Sequence, residues 1–404
     1  MRPITKRSFA RGSSRVSPPS SSSICPSCQH RRAFSSSTSS STPPPPPPSS
    51  GIAPLPSRQL LSVAGPDAAK FLQGIVTANV LGADGHGTRA DPCYAGFLNA
   101  TGRVMHDVFI YPSGRGFAGR QEDDAFLIEA DADKIDQLAR LVRRYKLRAK
   151  VDMRRIQPGE MTVWQAWDDA AAAAATPAGI PQSTSSTILF HDHRAPGMGH
   201  RIVQLGDAPP PQVQLDRSTE DAYTIRRYLR GVAEGQSEII REAALPQESN
   251  MDLMGGIDFR KGCYVGQELT IRTRHRGVVR KRILPCVIYD KDSGSPPPDT
   301  LAYRPEDAPV LAETVPAETS IARFQKRGRS AGKWLRGVGN IGLGLCRLEI
   351  MAGVELPGET AAMSFDPSHE FLLEWGTDDA RESVKVKAFL PDWVQAGLDG
   401  AAKR

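Results

Sequence analysis

Lys261-Gly262-Cys263-Tyr264-Val265-Gly266-Gln267-Glu268 sets one thiol between two glycines, with a lysine before it and a polar, helix-forming pair after it. Glycine permits close backbone approach and positive φ, so the stretch reads as a tight turn leading into a helix opened by Gln267 and Glu268. At a helix start, the dipole and the Lys261 ammonium both favour thiolate, which makes Cys263 nucleophilic or metal-competent. Spacing alone leaves a second reading open, a small cysteine buried in a turn. Immediately upstream, Leu245-Pro246-Gln247-Glu248-Ser249-Asn250-Met251-Asp252 and Gly255-Gly256-Ile257-Asp258-Phe259 add two more glycines and several polar residues. No other region is so dense in special residues.

Further out, the pattern is mixed. Gly65-Pro66-Asp67 opens a helix with Phe71, Leu72, Ile75 and Val76 at helical spacing. Tyr94 to Leu98 and Arg103 to Tyr111 read as strands of a hairpin turned by Asn99-Ala100-Thr101-Gly102. Strict alternation puts Val104, His106, Val108 and Ile110 on one face, and Met105, Asp107, Phe109 and Tyr111 on the other. A strand at Ala125 to Ala130, a helix at Asp133 to Leu147 and strands at Met161 to Ala166, Thr187 to Phe190 and His200 to Leu205 complete an α+β pattern with antiparallel pairs. Asp168 to Ser186, with its alanine run, reads as a surface insertion. Ser218 to Asp221 cap a helix with Ala222, Ile225 and Leu229 inward and Arg226, Arg227 and Arg230 on its polar side. From Lys281 onward, short apolar strands alternate with loops.

The octet, followed by Arg276-Gly277-Val278-Val279-Arg280-Lys281-Arg282, resembles the folate-binding aminomethyltransferase-like superfamily, and within it the branch of mitochondrial iron-sulfur cluster assembly factors. Arg227 to Gly231, Glu234-Gly235, Ala244 to Pro246, Phe97 to Asn99, Gly102-Arg103 and Asp107 follow in that family's order. The resemblance implies a three-domain ring around a channel that receives folate, with a small C-terminal β-barrel. It implies late maturation of [4Fe-4S] proteins, aconitase-type and radical-SAM enzymes such as lipoate synthase, together with A-type scaffold proteins. Cys263 then becomes a transient cluster ligand or a reactive thiol. Lys261, Gly262, Tyr264, Gln267, Glu268, Asn99, Asp107 and Arg227 become the expected lining of a folate channel. The implied cofactors are tetrahydrofolate and a transient iron-sulfur cluster shared with a partner, since one cysteine cannot complete four-thiolate ligation. Where the transferase pattern has an acidic pair, this chain has His106-Asp107, and where it has a pterin-binding glutamate, Leu229 stands. A non-catalytic assembly factor is therefore expected, with a one-carbon transferase and a folate-binding regulatory module as alternatives.

The first 66 residues hold no acid but carry Arg2, Lys6, Arg7, Arg11, Arg15, Arg31, Arg32 and Arg58 among serines. This is transit-peptide composition, with Arg32-Ala33-Phe34-Ser35 as the processing point and the mitochondrial matrix as destination. The expected layout is a transit peptide over 1–34, a disordered Ser/Pro linker over 35–53, the aminomethyltransferase-like region of two interleaved α+β subdomains over 54–285, a barrel-like domain over 286–396 and a tail over 397–404. No run of about 18 apolar residues occurs, and the net charge of +6 arises largely in the leader, so neither membrane nor nucleic acid is an expected partner. Cys25-Pro-Ser-Cys28 has zinc-knuckle spacing without a second pair, and His191-Asp192-His193 looks metal-like without a further ligand nearby in sequence. Cys93, Cys286 and Cys346 are too scattered for a disulfide framework in a reducing compartment.

Overall fold

The computed structural model describes residues 42–402 apart from 83–84, 86, 115–116, 120–124, 171–182, 293–295, 325–328, 356–364 and 378–379. The expected transit segment, the Ser35 processing point, the Cys25–Cys28 pair and most of the alanine run lie outside the described residues.

In chain order, the first part comprises β1 (Ser50–Pro54), β2 (Arg58–Ala64), α1 (Ala68–Gln73), β3 (Cys93–Leu98), β4 (Val104–Pro112), β5 (Ala125–Asp131), α2 (Ile135–Tyr145) and β6 (Asp152–Arg155). It continues with β7 (Met161–Asp168), β8 (Thr187–His191), β9 (His200–Leu205), α3 (Glu220–Leu229) and α4 (Gln267–Arg276). The strands form two antiparallel sheets, ordered β1-β7-β9-β8 and β3-β4-β5-β2-β6. The chain leaves the first sheet after β1 and re-enters it at β7, so the two units interleave. Leu72 of α1 and Leu138 and Val142 of α2 pack on one face of the five-stranded sheet, against Val63, Val108 and Ile128. Its other face, with Phe109, Tyr111 and Leu127, meets Val163 and Val203 of the four-stranded sheet and Ile225 and Tyr228 of α3.

Simple alternation fails at the start of β4. A bulge lies between the Phe97↔His106 and Leu98↔Val104 pairs. It moves Val104 to the side of Phe109 and Tyr111, and Met105 to the side of Val108 and Ile110. One unpaired residue reverses the facing of everything before it. From His106 onward the expected alternation holds.

Three further expectations are corrected. The linker is ordered from its proline run onward: the carbonyl oxygens of Pro44 and Pro48 accept hydrogen bonds from Tyr303 and Trp167, and Ser50–Pro54 pairs with β7. The arginines of α3 are not a solvated face, since Arg226 and Arg227 are buried, bound to Asp169 and Glu238. The boundary at 286 falls inside a strand.

That strand, β10 (Lys281–Tyr289), belongs with β11 (Ser320–Arg323), β12 (Gly332–Val338), β13 (Ile341–Arg347), β14 (Phe371–Thr377) and β15 (Ala380–Ala388) to a closed barrel ordered β10-β13-β12-β11-β14-β15. Closure leaves no free sheet edge. Trp334, Ile321, Leu373, Val384 and Val386 fill it, and Ala312 and Val315 from the connection between β10 and β11 join that core. The expected tail from 397 is the end of a helix, Asp392–Ala402. Trp393 anchors it by donating from Nε1 to the Arg230 carbonyl oxygen at 2.9 Å.

Candidate functional site

The octet turns between the hairpin and α1. The Val265 amide donates to the Gly74 carbonyl oxygen at 3.1 Å, and the Tyr264 amide donates to Gln267 Oε1 at 3.2 Å. Gly266 caps α4 in the left-handed region at φ +81°. Asp258 Oδ1 accepts from the amides of Arg260 and Lys261, which shapes the turn before the thiol. Tyr264 is buried, whereas Gly262 and Cys263 are exposed. Cys93, Cys286 and Cys346 are buried, so among the described cysteines only Cys263 can meet a partner from solution.

Lys261 does something other than expected. Its ammonium donates to the carbonyl oxygens of Gln73, Val76 and Ala78 at 2.7, 2.6 and 2.9 Å. All three donors are taken, so Lys261 is a peg fixing the loop to the end of α1 and not a free cation beside Cys263. Burial pushes its pKa down to about 8, opposed by the Asp258 carboxylate.

Beside the octet opens a cleft of about 530 Å³, lined by the rings of Tyr94, Phe190 and Phe259 and by Arg89, Arg260 and Arg274. Arg274 of α4 lies over the Phe259 ring, 3.8 Å from its centroid. Arg194 forms part of the wall with its guanidinium fully engaged, to both Asp192 oxygens, Glu234 and the Tyr223 hydroxyl. Asp252 and Asp258 supply the negative groups of the lining. Aromatic walls and cations suit a flat ring system that carries carboxylates.

None of the residues expected to line a folate channel lines this cleft. Asn99 holds the hairpin turn, its Oδ1 accepting from the amides of Thr101 and Arg103. Asp107 is buried and accepts from the Gly235 amide and Gln236 Nε2. Arg227 is buried, donating to Glu238 and to the Val232 carbonyl oxygen. Gly262, Tyr264, Gln267 and Glu268 remain with Cys263 and Lys261 at the loop and the first turn of α4. The lining residues that sequence reading missed, Tyr94 and Phe190 among them, come from separate segments and share no local pattern, whereas Arg274 belongs to the basic stretch after the octet that could line a pocket for folate's glutamate tail. Leu229 is half-buried against the core and also lies outside the cleft.

The metal-like histidines resolve otherwise. Asp192 is buried against Arg194, while His191 Nδ1 stands 3.3 Å from His200 Nε2 and His193 packs on the His191 ring. Among the described residues, no group of three His, Cys, Asp or Glu side chains is placed to hold a metal ion. Behind the cleft, a buried ionic junction ties the two sheets together. Arg201 of β9 lies 3.3 Å from Glu129 of β5 and bonds Glu234, which also receives Arg194. Arg58 of β2 donates to Glu129 at 2.7 Å.

A relative from Pyricularia oryzae, described as an iron-sulfur cluster assembly factor IBA57 homolog, mitochondrial, is 56% identical over 385 residues, 94% of each chain. The chain belongs to the IBA57 family. A Chaetomium globosum member of the family is 48% identical across 86% of this chain and 84% of its own, and one from Neurospora crassa is 45% identical across 86% and 81%. Residues 280–396 match the model of the CAF17 C-terminal beta-barrel domain, which begins at the first barrel strand. Among solved structures, the glycine cleavage system aminomethyltransferase T from Bartonella henselae has the same fold, with a TM-score of 0.54 at 13% identity over 86% of both chains. The α+β architecture with a six-stranded C-terminal barrel is therefore that of the aminomethyltransferases, and the relatives place the family in mitochondria.

Proposed function

We propose that this mitochondrial iron-sulfur cluster assembly factor works by presenting Cys263 to a cluster held partly by another protein. The exposed thiol on a pegged, glycine-shaped turn is the observation that carries this reading. One thiolate leaves a four-iron cluster short of ligands, so the remainder come from the donor protein or from glutathione. Bridging during hand-over fits such a site better than storage. Donors of this kind are A-type scaffold proteins, and the recipients are [4Fe-4S] enzymes such as aconitase and the radical-SAM lipoate synthase.

The test is complementation of a null strain with Cys263→Ser, reading aconitase activity and protein lipoylation. Both are expected to fall to the level of the null, with the variant protein present at normal abundance. Full activity of both would remove Cys263 from the mechanism.

A second reading concerns the cleft, whose aromatic walls and arginines suit the ring and acidic tail of tetrahydrofolate. Arg260 and Arg274 would hold the carboxylates, and Tyr94 and Phe259 would flank the ring. One-carbon transfer finds less support: His106 and Asp107 are neighbours on β4 and so point to opposite faces, and Asp107 is bonded to Gly235 and Gln236. Calorimetric titration with tetrahydrofolate should give binding that weakens about tenfold or more in Arg274→Ala. Equal affinity in the variant would assign folate elsewhere.

A further inference from the structure

Leu147 is 90% exposed and sits at φ +38°, in the left-handed region that disfavours a leucine. Glycine is the usual residue just past a helix end in this conformation, and an apolar side chain standing in water there contributes nothing to the core. Among the described residues, the other exposed large apolar side chains, Val278 and Phe365, are 38% and 41% exposed. Leu147 is thus a protrusion of a different order.

It also stands amid positive charge. From Gln137 to Val151 the chain has six cations, Arg140, Arg143, Arg144, Lys146, Arg148 and Lys150, and no acid. Arg140, Arg143, Arg144, Arg148 and Lys150 are exposed, as is Leu147 between them. Arg143 and Arg144 complement the C-terminal end of α2, but Lys146, Arg148 and Lys150 lie beyond that helix. The tip is fixed in place. The Lys150 amide donates to Asp67 Oδ2 at 2.7 Å and the Ala149 amide to the Lys146 carbonyl oxygen at 2.8 Å. Of the nearby acids, Asp67 is engaged by that amide and Asp136 by Arg155, while Asp133 and Asp152 are exposed at the two ends of the basic stretch.

We propose that the α2–β6 turn is a membrane-surface contact, in which the cations meet the phosphates of an anionic lipid leaflet and Leu147 enters the headgroup layer. An acidic protein would also attract the cations, but a stable protein interface needs an apolar centre built from several residues. Here a single leucine projects from a cationic tip, the arrangement that suits shallow interfacial insertion. A peripheral contact needs no spanning segment, and among the described residues no helix is long and apolar enough to cross a membrane. The proposal departs from the sequence expectation of no membrane partner, which rested on the absence of such a segment, and it stands apart from the role of Cys263.

The test is co-sedimentation of the full chain with vesicles of phosphatidylcholine containing one cardiolipin in five, against pure phosphatidylcholine, at physiological ionic strength. The basic leader also attracts anionic vesicles, so the reading is the ratio between the parent and variants that share it. Reversal of three cations, Arg143→Glu with Arg144→Glu and Arg148→Glu, should weaken binding about a hundredfold. Leu147→Asp should weaken it about fivefold or more, with an unchanged melting temperature showing that the fold is intact. Equal binding to both vesicle types, no loss on charge reversal, or no loss with Leu147→Asp would each overturn the proposal. The last outcome would leave the cations for an acidic protein.

Discussion

Gly266 and Gly102 pack directly against one another. A Cβ added to Gly266 would lie 3.2 Å from Gly102 Cα and 2.8 Å from Leu98 Cβ, and would collide with the Asn99 carbonyl oxygen. A Cβ on Gly102 would lie 3.0 Å from the Gly266 carbonyl oxygen and 2.8 Å from Leu269 Cβ. Both residues have positive φ, +81° and +79°. The second glycine of the octet therefore serves to seat the thiol-bearing turn on the β3–β4 hairpin, fixing where Cys263 emerges.

From this contact, Gly266→Ala should destabilise the protein by about 2–4 kcal/mol, through backbone strain added to a clash. Gly262→Ala, one residue before the thiol, should change stability by less than about 0.5 kcal/mol, because no neighbouring atom lies within 4 Å of the point where its Cβ would stand. Paired denaturant melts of the two variants check both values.

The ionic junction behind the cleft predicts a larger loss. Glu234→Gln would leave Arg194 and Arg201 in a buried site with one carboxylate fewer, at a cost of about 3–5 kcal/mol. Urea unfolding of the variant measures it. A near-neutral result would mean that water or rearranged acids compensate the two guanidinium groups.

Acid sensitivity should follow from His106. Burial, with Arg241 nearby, pushes its pKa down to about 4 against the partial opposition of Asp107. The unfolded chain binds the proton from about pH 6.5 downward while the folded chain refuses it until about pH 4. This group's contribution is therefore intact above pH 6.5 and is lost as pH falls through that window, at up to about 1.4 kcal/mol per pH unit. His106→Leu should flatten that part of the stability profile, as read by melts between the two pH values.

Leu147→Gly should raise stability by about 1 kcal/mol, since glycine accepts the left-handed conformation and no core contact is lost. A thermal melt decides it. Stabilisation by a change at an exposed residue would mark the leucine as kept for something other than folding.

The local elements and the family were legible in the sequence because both rest on short-range pattern. Apolar period and turn residues placed the β3–β4 hairpin and α2 within a few residues, and the octet with its flanks identified the aminomethyltransferase-like fold. The exposed state of Cys263 was not decided by spacing, which by itself favoured a buried cysteine in a turn. It depends on Gly266 meeting Gly102 and on Lys261 reaching three carbonyl groups more than 180 positions away in sequence. The bulge before His106 likewise answers to cross-strand pairing and not to composition.

What the sequence determined by itself, then, was the order of elements from α1 to α4 with β6 excepted, the basic leader and the one thiol set among glycines, while β1 and β2 carried no such signal. Tertiary structure alone decided which charges are buried and which face water. Arg226 and Arg227 look like a polar stripe in one dimension, yet both are buried, Arg227 against the buried Glu238 and Arg226 over the Trp167 ring with the exposed Asp169 as its partner. The cleft has the same origin, because its rings and arginines come from distant segments that only packing brings to one wall. Ion pairing and burial depend on distances in space, and a linear pattern encodes only the part of them that repeats along one element.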